Sequence, residues 1–185
     1  MSGGLAPSAA GLWALAWAQA STPAQWPGWL AFGFGVACFV QTDDRRFRWL
    51  MAAECLSYAL HFALLGQPAA MVSTLVSLAR ALVSLRWQGP GWALVFIGLN
   101  AALTAPLVRS PMSLLPLAAS TCGTWALFRL QGVAMRALML AGTLCWVLHN
   151  ALAGSVGGTL LELVVAAVNA RTIARLWRAR RPVPP

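Results

Sequence analysis

Long apolar segments, separated by short breaks, follow one another along the chain from residue 24 onward. Each segment approaches the roughly 20 apolar residues that a membrane-spanning helix needs, and the breaks carry Gly, Pro or Arg. The pattern therefore predicts an all-α membrane protein with seven transmembrane helices. Their predicted bounds are 24–41, 47–65, 68–87, 91–107, 112–128, 134–153 and 156–177.

A repeat relates the first three predicted helices to the last three. The motif His-x-Ala-Leu-x-Gly occurs at residues 61–66 and again 88 residues later, at 149–154. Over residues 39–66 and 127–154 the same offset also pairs Arg48/Arg136, Leu50/Leu138, Met51/Met139, Ala53/Ala141, Leu56/Leu144 and Leu60/Leu148. Self-similarity at a fixed offset indicates repeated structural units. The chain is therefore predicted to hold two parallel three-helix repeats, residues 24–87 and 112–177, joined by a linker helix at 91–107.

Polar residues recur at helical spacing inside the apolar segments. They are Glu54, Ser57 or Tyr58, and His61 on helix two; Ser73, Ser77 and Arg80 on helix three; His149 and Asn150 on helix six; Thr159, Glu162 and Asn169 on helix seven. An ionised side chain at the centre of a spanning helix costs about 2.5 to 3.5 kcal/mol, so the charged ones need partners or water. Adjacent helices and similar depth predict an ion pair between Glu54 and Arg80. The polar faces either tie helices together or line a solute path.

Composition and charge support the membrane assignment. The 185 residues are 59% hydrophobic and 9% charged, with a mean hydropathy of +0.70, whereas soluble domains carry about 25% charged residues. The net charge of +9 comes from Arg placed mainly at the ends of apolar segments. That placement favours contact with anionic headgroups of the lipid bilayer over a nucleic acid partner.

The distribution of Arg predicts the orientation. Eleven of the thirteen lie at one end of the predicted helices, and only Arg109 lies at the other. The positive-inside rule then places the N-terminus in the periplasm and the C-terminus in the cytoplasm. Residues 1–23 are predicted to be an interfacial or periplasmic extension, with a cleaved signal peptide as the alternative, and residues 178–185 a basic cytoplasmic tail.

Patterns that would indicate catalysis are missing from the sequence. It contains neither Ser-His-Asp nor Cys-His spacing and no metal-ligand cluster. The four cysteines lie inside apolar runs and are interpreted as small apolar residues. The sequence therefore predicts no enzyme, no catalytic residue, no metal and no cofactor.

Residues 42–47, residues 61–66, and residues 149–159 followed by Glu162 and Asn169 resemble the YgjV family of bacterial inner membrane proteins. The likeness extends from about residue 24 to residue 177 and implies a multi-pass protein of the bacterial inner (plasma) membrane. It implies no activity. The three-one-three layout is also similar to that of SWEET sugar carriers and PnuC-type vitamin-precursor carriers, which is an analogy of fold alone.

The leading hypothesis is a carrier or facilitator for a small polar or anionic solute, with a site between the two repeats. The predicted solute-binding residues are Arg80, Glu162, Asn169, Ser77 and Glu54, and the predicted gate residues are His61, His149 and Asn150. Each histidine either ends its helix with a hydrogen bond to the following turn or acts as a proton-sensitive gate. The alternative function is a non-transporting scaffold or a subunit of a membrane complex, and a homo-oligomer remains open.

Overall fold

A computed structural model describes residues 18, 20–39, 44–83, 86–87 and 89–179 of the chain. Within these residues there are seven α-helices and no strand. The helices are α1 Trp26–Phe39, α2 Asp44–Leu64, α3 Pro68–Val83, α4 Pro90–Thr104, α5 Leu114–Arg129, α6 Gly132–Leu152 and α7 Val156–Ala179. The predicted all-helical class is confirmed. Residues 1–17 and 19 of the predicted extension and 180–185 of the predicted tail lie outside the described residues.

Proline and glycine set most of the helix boundaries. The helices α3 and α4 begin at proline, which lacks an N–H that the first turn would leave unpaired anyway. The helices α2 and α6 are followed by Gly66 and Gly154, whose φ angles of 65° and 71° suit a left-handed helix cap. The predicted ends of the third and fourth helices, at residues 87 and 107, were too late. Residues 86 and 87 are not helical, and residues 105–107 form a 3-10 turn because Pro106 lacks an N–H donor.

Six of the helices form a closed ring. Going around it, α1 packs on α2, α2 on α3, α3 on α5, α5 on α6, α6 on α7, and α7 again on α1. The helix α4 packs on α3 and α5. The helices α1 and α7 approach each other closely, because a Cβ added at Gly157 would lie 2.7 Å from the carbonyl oxygen of Gly28. Because Gly157 has no side chain, the backbones of α1 and α7 can come into contact where the first and last helices of the ring meet.

Polar side chains are enriched inside the ring and large apolar side chains outside it. On α2, for example, Leu56, Leu60 and Leu64 are more than half exposed, whereas His61 and Phe62 on the opposite face are buried. Three segments are long and apolar enough to cross a membrane: Pro90–Leu107, Gly132–Leu152 and Val156–Arg178. Trp49–Leu64 and Pro68–Val83 are shorter apolar helices. Leucine on the outside suits a surface that faces lipid.

Candidate functional site: a polar cavity inside the helix ring

Two adjoining cavities, of about 250 and 360 Å³, lie between the helices of the ring. Both are lined by Glu54 of α2, Ser77 and Arg80 of α3, Trp146 of α6 and Glu162 of α7. We call the joint space the central cavity. It brings together all five solute-binding residues predicted from the sequence, and they come from the first three and the last three helices of the chain. Four of them line both cavities, and Asn169 lines only the larger one.

Arg80 is anchored on α5. Its Nη1 donates hydrogen bonds to the carbonyl oxygen of Ser120 at 3.1 Å and to the hydroxyl of Thr124 at 3.0 Å. Gly123 provides the space, since a Cβ there would lie 2.9 Å from the same nitrogen. The predicted ion pair with Glu54 does not form among the described residues, and Nη1 of Arg80 bonds to α5 instead. The Arg80 Nε is buried and has no hydrogen-bond partner within the described part of the chain.

Glu54 and Glu162 form an acidic pair at the cavity. Both side chains line both parts of the central cavity. The helix α1 passes beside them at Gly35, where an added Cβ would meet the Leu161 side chain and lie 3.3 Å from Glu54 Oε1. Among the described residues, no group of three His, Cys, Asp or Glu side chains converges as a metal site would require. The acids therefore line the cavity as a pair.

Two buried polar groups of the smaller cavity have no hydrogen-bond partner among the described residues. They are the Tyr58 hydroxyl and Asn150 Oδ1, in residues that are 7% and 1% exposed. Buried polar groups are normally hydrogen-bonded, so both mark places where water or a ligand would bind. Ser57 and Tyr58 were alternatives for the polar face of the second helix. Tyr58 lines the cavity, whereas Ser57 donates at 2.7 Å to the Ala53 carbonyl of its own helix.

An aromatic layer lies between the central cavity and the turns at Gly66 and Gly154. Phe62 stacks on Trp146 at a centroid distance of 5.7 Å and on Tyr58 at 5.6 Å. The fully buried His149 ring meets Phe62 and Trp146 edge-on. It lies near the Met112 backbone, but neither ring nitrogen forms a hydrogen bond of ordinary geometry within the described residues.

The second histidine, His61, joins three parts of the fold. Its Nδ1 lies 2.7 Å from the Ala24 carbonyl oxygen and its Nε2 lies 2.7 Å from the Ser155 hydroxyl. A carbonyl only accepts, so Nδ1 is the protonated nitrogen. The ring thus connects α2 to the segment before α1 and to the turn between α6 and α7. It reaches the turn of the other half of the chain, not the turn that follows its own helix.

Two further polar side chains tie helices together. Gln25 donates from Nε2 to the Gly154 carbonyl at 2.6 Å and accepts from the Val156 N–H at 3.2 Å, which caps the start of α7. Gln25 was not among the residues predicted from the sequence, although a polar amide directly before an apolar helix is a usable signal. Asn169 donates to the Arg136 carbonyl at 3.0 Å and so connects α7 to α6.

A ring of helices with leucines outside and buried polar groups inside defines a multi-pass helical membrane protein. A family model described as a bacterial inner membrane protein, Imp-YgjV, matches residues 22–180. The inner membrane protein YgjV of Escherichia coli (strain K12) is 35% identical over 158 residues, covering 85% of this chain and 86% of that protein. The chain therefore belongs to the YgjV family, and its location is the bacterial inner membrane. No solved structure matches it.

Proposed function

We propose that this protein is a carrier or facilitator for a small polar solute that binds in the central cavity. The observation that carries the proposal is the set of polar groups that face this space. Charged side chains inside a membrane are costly and belong to functional sites by default. Side chains that served only as helix ties would be paired with one another, whereas Tyr58 and Asn150 present unpaired polar atoms beside Glu54 and Glu162.

The volume of the cavity limits the size of the solute. At about 30 Å³ per water molecule, spaces of 250 and 360 Å³ hold roughly eight and twelve waters. A solute of about a dozen non-hydrogen atoms fills such a volume. This is the lower end of the range of small-molecule sites.

The contacts of the ring support two parallel repeats with the cavity between them. If α1, α2 and α3 correspond to α5, α6 and α7, every contact in the ring has a counterpart: α1–α2 with α5–α6, α2–α3 with α6–α7, and α7–α1 with α3–α5. The turns after α2 and α6 also share their hydrogen bonds. These are Gly66 to Ala63 and Gln67 to Phe62 in the first turn, and Gly154 to Ala151 and Ser155 to Asn150 in the second. Carriers built from parallel repeats bind their substrates between the halves.

The distribution of Arg supports an orientation with the N-terminus in the periplasm. In that orientation the turns at Gly66 and Gly154 lie on the outer side. The aromatic layer of Phe62 and Trp146 then separates the central cavity from the periplasm. We assign it the role of outer gate, with His149 packed against it.

Thermal unfolding of the detergent-purified protein in the presence of small solutes tests this proposal. Sugars, nucleosides, amino acids, amines and organic acids are compared in the native chain and in Arg80→Ala. A ligand at 100 times its Kd stabilises the native state by about 2.7 kcal/mol. The substitution is expected to leave a folded protein, because Thr124 still donates to Ser120 at 2.7 Å, and to change the ligand-induced shift, because it removes a charge from the lining of the cavity.

The matched control is Arg86→Ala, which removes an exposed arginine outside the cavity. It should keep the full ligand-induced shift. A folded native chain that no solute in the panel stabilises would contradict the proposal and favour the scaffold alternative.

A further inference from the structure

We infer that the solute carries a positively charged nitrogen, which binds between Glu54 and Glu162 at the aromatic end of the central cavity. This inference rests on the proposed function and specifies its substrate class. It depends on three features of the smaller cavity: its formal charge, its unpaired acceptor atoms and its aromatic lining.

The formal charge of the smaller cavity favours a cation. Its ionisable lining includes two carboxylates, Glu54 and Glu162, and one guanidinium, Arg80. With both acids ionised, these three side chains carry a net charge of −1. Arg80 also directs Nη1 toward α5 rather than toward the acids. Arg136 lines only the larger cavity, near the beginning of α6. An anionic solute would add to the excess charge, and a neutral solute would leave it in place.

The unpaired atoms favour a solute that donates hydrogen bonds. Asn150 Oδ1 can only accept, and it is buried without a donor among the described residues. The carboxylates of Glu54 and Glu162 are acceptors as well when ionised. The oxygen of the buried Tyr58 hydroxyl can accept a further bond and also lacks a partner in the described part of the chain. A protonated amine supplies donors and positive charge to all of these groups at once.

Aromatic rings complete the site. Tyr58, Phe62 and Trp146 line the same smaller cavity as the two acids. Tryptophan and tyrosine rings attract cations electrostatically, and aromatic side chains are a common means of binding ammonium groups. The aromatic layer that closes the cavity thus also forms one wall of the cation site.

Sets of ligands with one shape and different charges test the inference in the full-length, detergent-purified protein. One set is glucosamine, glucose and glucuronate, and the other is 3,3-dimethylbutylamine, 3,3-dimethylbutanol and 3,3-dimethylbutanoate. We expect glucosamine or 3,3-dimethylbutylamine to raise the unfolding temperature and to do so more than the neutral and anionic members of its set. In Glu162→Gln the affinity for the cation should fall about tenfold or more.

Glu54→Gln serves as a second variant, in case Glu162→Gln does not fold. Arg129→Gln, which removes an exposed charge at the end of α5, should leave the affinity unchanged. Preferential stabilisation by neutral or anionic solutes in the unchanged chain overturns the inference but leaves a solute site in place. Stabilisation by no solute, in these sets or in the broad panel, overturns both the inference and the proposed function.

Discussion

Each histidine begins one copy of the His-x-Ala-Leu-x-Gly motif, but the surroundings of the two rings predict different responses to substitution. Both rings are fully buried. Replacing His61 by leucine removes the partners of the Ala24 carbonyl and the Ser155 hydroxyl, which lie 2.7 Å from its two nitrogens. Each buried group left unpaired costs about 1 to 3 kcal/mol. We therefore expect His61→Leu to lower the free energy of unfolding by about 2 to 6 kcal/mol.

The matched control is His149→Leu, which replaces a ring of the same size and burial. Since neither of its nitrogens forms a hydrogen bond of ordinary geometry within the described residues, the change should cost less than about 1.5 kcal/mol. For a chain of this length, about 2 to 6 kcal/mol corresponds to a fall in Tm of about 4 to 24 °C. Thermal unfolding in detergent, followed by tryptophan fluorescence, measures both variants. Equal losses of Tm would refute the assignment of the hydrogen bonds to His61.

Further predictions concern helix packing and orientation. Gly157→Ala should lower stability by about 1 to 3 kcal/mol in the same unfolding assay, because its Cβ would lie 2.7 Å from the backbone oxygen of Gly28. Gly33→Ala, where no atom lies within 4 Å of the added Cβ, should be neutral or stabilising by up to about 1 kcal/mol. Similar losses of stability in the two variants would contradict the close approach of α1 and α7. In a cysteine-free background, a membrane-impermeant thiol reagent should label Ser110→Cys from the periplasm and Arg178→Cys only from the cytoplasm, since both positions are exposed. The reverse pattern would contradict the orientation.

Local signals in the sequence were sufficient to predict the helices. The apolar segments identified all seven, and glycine with φ near 70° ends α6 directly before the predicted start of α7 at Val156. The charged residues of the cavity were also predictable, since an ionisable side chain inside an apolar segment is unusual enough to single out Glu54, Arg80 and Glu162.

The partners of these residues could not be predicted, because they depend on the order of helices around the ring. Arg80 bonds to α5 only because α3 and α5 are neighbours. The histidines differ because different residues follow the two motifs. His61 meets the hydroxyl of Ser155, which follows the second motif. The residue at the same place after the first motif is Gln67. Neither difference is contained in the His-x-Ala-Leu-x-Gly motif that the two halves share.

The central claim is that the cavity admits water and solute, and cysteine accessibility at Ser77 tests it most directly. Ser77 lines both parts of the central cavity, whereas Leu75 on the same helix is 39% exposed on the outer surface. In a cysteine-free background in membranes, a water-soluble thiosulfonate should modify Ser77→Cys and leave Leu75→Cys, which faces lipid, unreacted. A stabilising solute should slow the reaction at position 77. An unreactive Ser77→Cys, or equal reaction at both positions, would contradict a solute cavity and leave the polar residues as ties between helices.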